Sequence, residues 1–307
     1  MVTIATHHDA DGISSAVLYI KSLGLDLEDV EVIIPEEFGD VEDEDVVLDM
    51  RPINCDYEGT VYDHHPDHPK ERKYKLYHGD LPATGVVFNK HFKTIPKNQW
   101  WKAAVGIAGD GQPEKTPIRI LKRNPELMAR MSYVSESYGK TKVTSILVIN
   151  TLASPVNSLC RIGEPREALE LLFNAENPWD LNTPRTAETR KAVQNDIDSV
   201  FKLMGSAFPR PININGLFTI CEFESDYKIG GLIAMKINEG DKSTVIAINK
   251  RTGVFSIRGV FAAYAVDILT KNGIKAGGHA AFAGGSLKDG ESMYEIAKIL
   301  SLPKENK

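Results

Sequence analysis

The stretch VTIATHHDADG, residues 2–12, sets the fold of the first part of this 307-residue chain. Its first five residues are mainly apolar without strict alternation, which is typical of a strand buried on both faces of a parallel sheet. Residues Gly12–Leu23 then repeat their apolar side chains at helical spacing, and Gly24 marks the end of that pattern. A strand followed directly by a helix predicts the first half of a βαβ unit.

Further apolar runs and helical patterns continue this alternation. The predicted strands are Val2–Thr6, Val30–Ile34, Val46–Asp49, Thr60–Asp63 and Val143–Ile149. Helices are predicted at Ala83–Phe92 and Asn98–Ala108. Together these elements predict an α/β domain with a doubly wound, mostly parallel sheet.

A long helix and a second, smaller domain are predicted for the rest of the chain. The segment 182–204 has helical spacing, with Pro184 at its first turn and Pro209 and Pro211 just beyond it. The predicted elements of the tail are strands at Leu217–Phe223, Thr244–Asn249 and Gly253–Arg258 and helices at Ile229–Asn238, Val260–Lys271 and Ser292–Leu300. We therefore predict an α/β domain at 1–185, a connecting helix and linker at 186–210, and an α+β domain with a mixed sheet at 211–307.

The charge distribution is uneven between the two predicted domains. The whole chain has a formal net charge of −6, but residues 206–307 carry +3 and the remainder carries −9. A protein that grips long duplex nucleic acid is normally basic over a broad face. The pattern therefore favours short or single-stranded substrates.

Cysteine usage and hydropathy bear on the cellular compartment. Cys55, Cys160 and Cys221 are odd in number and far apart, which argues against a disulfide framework and against a zinc ribbon. The start of the chain has no leader-like pattern, and no apolar run approaches the roughly 20 residues of a membrane-spanning helix. We expect a soluble cytoplasmic protein without a membrane partner.

The end of the first strand carries the first candidate site. Alternate side chains of an extended chain share a face, so His7, Asp9 and Asp11 are expected to point together. The carboxyl edge of a parallel sheet is where such folds hold their sites. Taken alone, the motif leaves open a structural role in which Asp9 or Asp11 only caps the following helix.

Other strand ends add to this cluster. Asp49 ends the third predicted strand, Asp63, His64 and His65 end the fourth, and Asp110 follows a helix. Carboxylates crowded at one edge would repel one another and raise their pKa values unless something compensated them. Two divalent cations would do so, and mixed oxygen and nitrogen ligands suit Mn²⁺.

This set of motifs resembles the DHH phosphoesterase superfamily. The matching features are HxDxDG at 7–12, the strand-ending Asp49, DHH at 63–65 and the later Asp110. The segments FSIRG at 255–259 and AGGHAAFAGG at 276–285 resemble the DHH-associated domain that holds the substrate. Among the members, the chain resembles the compact archaeal RecJ-like exonucleases and the nanoRNases.

The resemblance implies a role for each matching residue. Six side chains would hold two Mn²⁺ ions, with Mg²⁺ as an alternative: His7 and Asp9 the first, Asp11, His64 and Asp110 the second, and Asp49 both. Asp63 and His65 would be catalytic, since Asp63 would orient its neighbours and His65 would contact the scissile phosphate. Four residues would form the substrate site of the second domain: Arg258, Gly277, Gly278 and His279.

The resemblance also implies a function. The leading hypothesis is a Mn²⁺-dependent phosphodiesterase that acts as an exonuclease on single-stranded DNA or RNA, with replication or fork-repair proteins as partners and a role in DNA repair. The runner-up is a nanoRNase, a phosphatase of 3′,5′-bisphosphonucleosides or a cyclic-dinucleotide phosphodiesterase. A catalytically silent replication scaffold is the third; such proteins lose metal ligands, whereas every expected ligand position here has a usable side chain.

Overall fold

The chain divides into two compact units, Met1–Arg190 and Lys191–Lys307, in a computed structural model. The structure describes residues 1–35, 39–66, 68–137, 140–204, 210–239, 243–279, 281–288 and 291–301. Within these residues, no helix is both long and apolar enough to cross a membrane. The predicted bounds at 185 and 210 remain a prediction, because the division into units falls inside one long helix.

The first unit is built on a five-stranded parallel sheet. Its strands are β1 (Val2–Thr6), β2 (Val30–Ile33), β3 (Val46–Leu48), β4 (Thr60–Asp63) and β5 (Lys75–His78). They lie in the order β2-β1-β3-β4-β5, and every pair is parallel. Strand order therefore reverses at β1, as in doubly wound folds, which bind ligands at the carboxyl ends of the strands beside such a reversal.

Both faces of this sheet are buried, as the continuous apolar runs predict. Ile4, Leu48 and Tyr62 face the helical core, whereas Val47 and Val61 pack on the other side in a smaller apolar cluster. Six helices complete the unit: α1 (Ala10–Leu23), α2 (Ala83–His91), α3 (Trp101–Gly109), α4 (Ile118–Arg123), α5 (Ala153–Arg161) and α6 (Pro165–Asn174). An antiparallel hairpin of β6 (Arg130–Ser137) and β7 (Lys140–Leu147) forms a separate two-stranded sheet.

Helix α7 (Pro184–Met204) leads into the second unit, which has a mixed six-stranded sheet. Its strands are β8 (Ile212–Ile214), β9 (Phe218–Phe223), β10 (Thr244–Asn249), β11 (Val254–Arg258), β12 (Lys275–His279) and β13 (Phe282–Ser286), in the order β12-β13-β11-β10-β9-β8. Only β9 and β10 are parallel; the other pairs are antiparallel. Three helices accompany them: α8 (Gly230–Asn238), α9 (Ala262–Lys271) and α10 (Met293–Ser301).

The predicted fold class is confirmed, with differences in individual strands. The predicted strand at Val143–Ile149 is wrong as a member of the main sheet, because in the described part of the chain β7 pairs with β6 in a separate two-stranded sheet. The edge strands β5 and β8 were not predicted, nor were β12 and β13. The last two are rich in glycine, which has low strand propensity, so their sequence gives little sign of a strand.

Candidate metal centre

Three strand ends and one helix end bring polar side chains together at the carboxyl edge of the first sheet. Asp9 follows β1 and caps α1, where its Oδ1 accepts the N–H groups of Asp11 and Gly12 at 3.0 Å. Asp49 follows β3, His64 follows β4, and Asp110 caps the end of α3. The helix-capping role that the sequence left open for Asp9 is therefore present, in addition to its place in the cluster.

The first donor set contains His7, Asp9 and Asp49. The Nδ1 atom of His7 lies 3.0 Å from Asp9 Oδ2 and 3.5 Å from Asp49 Oδ2. The donor atoms of all three residues lie within 4.8 Å of one another. One cation could contact all three, as the sequence predicted for His7, Asp9 and a bridging Asp49.

The second donor set contains Asp11, His64 and Asp110, with Asp49 again beside it. The Nε2 atom of His64 lies 3.1 Å from Asp110 Oδ2, 3.9 Å from Asp11 Oδ2 and 3.4 Å from Asp49 Oδ1. Asp49 therefore turns one carboxylate oxygen toward each donor set. That arrangement suits a carboxylate shared by two cations.

The backbone of Asp49 is in the left-handed conformation, with φ at 58°. This region is uncommon for any residue other than glycine, although aspartate and asparagine enter it more readily than others. The N–H group of Asp49 donates to Tyr62 O at 2.9 Å, which ties the turn to β4. Such strain is often found at functional positions, and here it directs a buried carboxylate between the two donor sets.

The electrostatics of the cluster favour added positive charge. Burial raises the pKa of Asp49 well above its usual range, and the charges of Asp11 and Asp9 raise it further. Asp110 has its pKa raised by the same causes. Burial opposes protonation of His64, yet the carboxylate of Asp49, 3.4 Å away, raises its pKa to about 9.

The residues present fit divalent cations. The Oδ1 atom of Asp49 and the Oδ2 atom of Asp110 are buried and accept no hydrogen bond of good geometry among the described residues. Buried carboxylate oxygens normally have such partners, and bound cations would satisfy both atoms. The mixture of carboxylate and imidazole donors is one that Mn²⁺ accepts.

Asp63 holds a pair of histidines and also belongs to a third group of possible metal donors, with Asp49, His64 and His65. Its Oδ1 accepts from His65 Nδ1 and from the backbone N–H of His64, both at 2.7 Å. Its Oδ2 lies 2.9 Å from His68 Nε2, and His68 Nδ1 lies 2.9 Å from the hydroxyl of Tyr74. Although burial alone would raise the pKa of Asp63, the charge and hydrogen bond of His65 lower it below its usual range.

This network places His65 at the rim of the centre. Its Nδ1 lies 4.0 Å from Asp49 Oδ1, while the bond to Asp63 fixes the orientation of the ring. The contacts of Asp63 suit the orienting role that was predicted for it. Its contact to His68 was not predicted. The short spacing of DHHPDH was the available signal.

Solved structures share the fold of this chain. They include RecJ from Thermus thermophilus in complex with Mn²⁺ (TM-score 0.67, 18% identity), the DHH domain of a protein described as a member of a ribosomal protein family (0.61, 13%), and PggH, a pGpG-specific phosphodiesterase from Vibrio cholerae (0.50, 14%). Each match covers 98% of this chain. The shares of the matched chains that are covered are 52% for RecJ, 86% for the DHH domain and 99% for PggH.

The chain has the fold of the DHH superfamily. It spans about half the length of the Thermus RecJ chain that it matches. No protein-family model matches the sequence, and the comparison with curated proteins gave no significant match. At these identities the likeness is one of fold.

In this DHH fold, glycines bring Asp110 to the centre. A Cβ atom on Gly106 would lie 2.1 Å from Thr84 Oγ1 and 2.9 Å from Asp11 Oδ1. Glycine at this position of α3 therefore allows the close approach of α3 to Thr84 and to the carboxylate of Asp11. This contact explains the glycine at position 106 in the glycine-rich sequence that precedes Asp110.

Asp11 has a structural role in the same place. Its two carboxylate oxygens accept the N–H groups of Ala83 at 2.7 Å and Thr84 at 2.9 Å, at the start of α2. Burial raises the pKa of Asp11 in spite of the nearby His64. Since each carboxylate oxygen has two lone pairs, these bonds leave room for a cation.

The predicted substrate residues lie in the second unit. Arg258 ends β11, and its Nη1 donates to Ile257 O at 2.8 Å and to Ala283 O at 3.0 Å. Its guanidinium carbon lies 5.0 Å from the centre of the Phe282 ring. These contacts fix the guanidinium, and its phosphate-binding role remains a prediction.

The glycine-rich segment is a strand rather than a simple loop. Gly277 and Gly278 lie in the edge strand β12, opposite Gly284 and Ala283 of β13. Gly278 has φ at 134°, and a Cβ atom there would lie 2.5 Å from Ala283 Cα, so strand pairing itself requires glycine. His279 ends β12, but its side chain lies outside the described part of the chain.

Proposed function

We propose that this chain is a Mn²⁺-dependent phosphodiesterase that acts as an exonuclease on single-stranded DNA or RNA. The observation that carries the proposal is the carboxylate of Asp49, whose two oxygens face two separate sets of metal donors. A shared carboxylate between two cation positions is the arrangement that two-metal phosphoryl chemistry needs.

Each part of the centre has a proposed task. His7 and Asp9 would hold one cation, Asp11, His64 and Asp110 would hold the other, and Asp49 would serve both. When bound, the two cations supply positive charge for the phosphate and acidify the attacking water. His65, oriented by Asp63, donates to a phosphate oxygen on which charge grows during reaction.

The substrate class follows from charge and from the second unit. The acidic first part of the chain disfavours broad contact with duplex, whereas Arg258 offers a fixed guanidinium suited to one phosphate. Because the guanidinium of Arg258 is fixed in position, it favours a flexible single strand whose phosphate can move to meet it. Replication or fork-repair partners remain part of this proposal.

The second candidate is an enzyme for very short substrates. The fold similarity to PggH, a pGpG-specific phosphodiesterase, favours it. In this case the substrates would be two- to five-nucleotide RNAs, 3′,5′-bisphosphonucleosides or cyclic dinucleotides. A silent replication scaffold would need neither the metal donors nor an oriented His65.

The deciding experiment uses purified protein with Mn²⁺ on single strands of DNA and RNA of graded length, labelled at the 3′ or the 5′ end. Progressive shortening of strands longer than five nucleotides, abolished by chelator, supports the exonuclease. Activity confined to the short substrates supports the second candidate. If no substrate is hydrolysed although Mn²⁺ is bound, both enzymatic candidates are refuted and the silent replication scaffold is the remaining hypothesis.

A further inference from the structure

The carboxylate of Asp63 is held through both of its oxygens. The Oδ1 atom accepts three N–H groups: the backbone N–H of His64 at 2.7 Å, the backbone N–H of His65 at 3.2 Å and the ring Nδ1–H of His65 at 2.7 Å. In the described part of the chain, the donor to Oδ2 is His68, whose Nε2 lies 2.9 Å away. Asp63 is fully buried, and the side chain of His68 is only 5% exposed. The second oxygen therefore depends on this one histidine.

The other side of the His68 ring is held by Tyr74. The hydroxyl of Tyr74 lies 2.9 Å from His68 Nδ1, and the two rings meet edge to face with their centres 5.9 Å apart. Tyr74 directly precedes β5 and is buried in the smaller apolar cluster, where Tyr57 packs against it. The sheet thus fixes the hydroxyl, and the hydroxyl fixes the ring of His68.

The protons in this series of contacts follow from the chemistry of each group. A carboxylate only accepts hydrogen bonds, so both imidazoles donate to Asp63, His65 through Nδ1–H and His68 through Nε2–H. Burial raises the pKa of Tyr74, so the phenol keeps its proton and donates to Nδ1, the acceptor nitrogen of a neutral His68. The Nε2 atom of His65 is then the ring nitrogen that meets the phosphate in the proposed function.

Loss of the donor to Oδ2 would disturb the whole series. A buried carboxylate oxygen without a partner is costly, so the carboxylate of Asp63 would turn to regain one. Its Oδ1 atom would then leave the position in which it accepts from His65 Nδ1. The ring of His65 would lose the contact that sets its orientation.

We propose that His68 is a positioning residue, which acts on His65 through the carboxylate of Asp63. Tyr74 supports His68 in the same task. The proposal deepens the proposed function and rests on it for the effect on turnover, whereas the hold on the ring of His65 is a property of the folded chain.

The first measurement follows the imidazole of His65 directly. Long-range proton–nitrogen NMR spectra of the Mg²⁺-loaded protein, made with isotope-labelled histidine, report which ring nitrogen carries the proton. The signals are assigned from their loss in His65→Ala and in His68→Gln. In the wild type, His65 should carry its proton on Nδ1 and His68 on Nε2. In His68→Leu, the signals of His65 should shift toward a mixture of its two protonated forms.

Turnover of one single strand with Mn²⁺ is the second measurement. His68→Leu should lower kcat about 10- to 100-fold with little change in KM, the usual cost of removing such a supporting partner. His68→Gln should recover most of the rate, because its amide nitrogen is as many bonds from Cα as the imidazole Nε2 and can donate to Asp63. Tyr74→Phe should lower kcat about 2- to 10-fold, the range for one neutral hydrogen bond.

The matched control is His91→Leu. It removes another histidine whose Nε2 lies 2.8 Å from a tyrosine hydroxyl, that of Tyr62, but His91 makes no contact with Asp63 among the described residues. The variant should change neither kcat nor the signals of His65, even if it lowers the free energy of unfolding.

Unchanged His65 signals in a folded His68→Leu overturn the inference, and so does a wild-type rate in that variant. Loss of bound Mn²⁺ from His68→Leu overturns it as well, because His68 would then act on the metal donors. If His68→Leu does not fold, Tyr74→Phe decides, and wild-type signals from both histidines overturn the inference. A wild-type protein that cleaves no strand, but whose His65 signals change in His68→Leu, refutes the exonuclease and leaves the hold on His65 standing. An active exonuclease with unchanged His65 signals does the reverse.

Discussion

Asp49→Asn removes the charge of the shared carboxylate with little change elsewhere. Asparagine has the same size as aspartate and also tolerates the left-handed conformation that position 49 adopts. The side chain of Asp49 is buried. The hydrogen bond to Tyr62 O is donated by the backbone N–H group of residue 49, which the substitution keeps, so the turn should persist. We therefore expect a folded variant whose defect lies in metal binding.

The size of the defect follows from the two contacts. One oxygen of Asp49 lies 3.5 Å from His7 Nδ1 and the other 3.4 Å from His64 Nε2, so the substitution weakens both donor sets. Changing a residue that only supports a metal ligand costs about 10- to 100-fold in affinity or activity. A ligand shared by two cations should cost at least that much at each, or about 10²- to 10⁴-fold for the doubly loaded, active form.

The assay combines metal analysis with thermal unfolding. After saturation with Mn²⁺ and desalting, the wild type should retain close to two equivalents. A cation present at 100 times its Kd stabilises the folded chain by about 2.7 kcal/mol, and this gain should shrink in Asp49→Asn. Without metal, the variant should be at least as stable as the wild type, because a neutral amide replaces a carboxylate that other carboxylates repel.

The control is Asp110→Asn, which faces only the second donor set and should leave one strongly bound equivalent. The shared role of Asp49 is refuted if Asp49→Asn holds two Mn²⁺ ions with affinities within tenfold of the wild type. Retention of more than about a tenth of the wild-type rate would refute it equally.

Four further changes test other parts of the chain. His65→Ala should lower kcat about 10²- to 10³-fold with little change in KM. Arg258→Ala should mainly raise KM and weaken the salt dependence of KM. Steady-state kinetics at two salt concentrations would contradict this if the two variants changed kcat and KM in the same way. Gly106→Ala should lower the free energy of unfolding by about 1–3 kcal/mol and weaken Mn²⁺ binding, because its Cβ would meet a neighbouring hydroxyl at 2.1 Å. The control is Gly79→Ala, whose Cβ would have its nearest contact at 3.5 Å and should change neither quantity. Urea unfolding and metal titration measure both variants. Burial lowers the pKa of Lys102 to about 7, against about 10.4 in the unfolded chain. Between these pH values the unfolded chain binds more protons than the folded chain. The free energy of unfolding should therefore rise with pH, by up to about 1.4 kcal/mol per pH unit. Lys102→Met should lose this slope in urea unfolding at pH 7, 8 and 9, and an unchanged slope would contradict the assignment.

Much of the candidate centre could be predicted because its residues follow strands. The ends of parallel strands share an edge, so Asp9, Asp49 and His64 could be placed together from local patterns alone. The left-handed conformation of Asp49 could not be predicted, since it depends on the bond to Tyr62 in a neighbouring strand. The same limit hid the contact between Asp63 and His68, which requires the chain to fold back after Pro66.

Long-range packing explains the other differences. The need for glycine at position 106 could not be predicted, because the hydroxyl that excludes a larger side chain belongs to Thr84 on another helix. The strands β12 and β13 pair through glycines whose own propensity disfavours strands, so the pairing partner decides the structure.

The raised pKa values of Asp49 and Asp110 couple folding to metal binding with a definite sign. A carboxyl group with a higher pKa in the folded chain binds more protons there, so it lowers the free energy of unfolding as the pH rises above its ordinary value of about 4. Cations replace those protons and remove the penalty, so their stabilising effect must grow over the same range of pH. A rigid parallel sheet is suited to such a centre, because the strand ends hold the acids together when no cation is there to attract them.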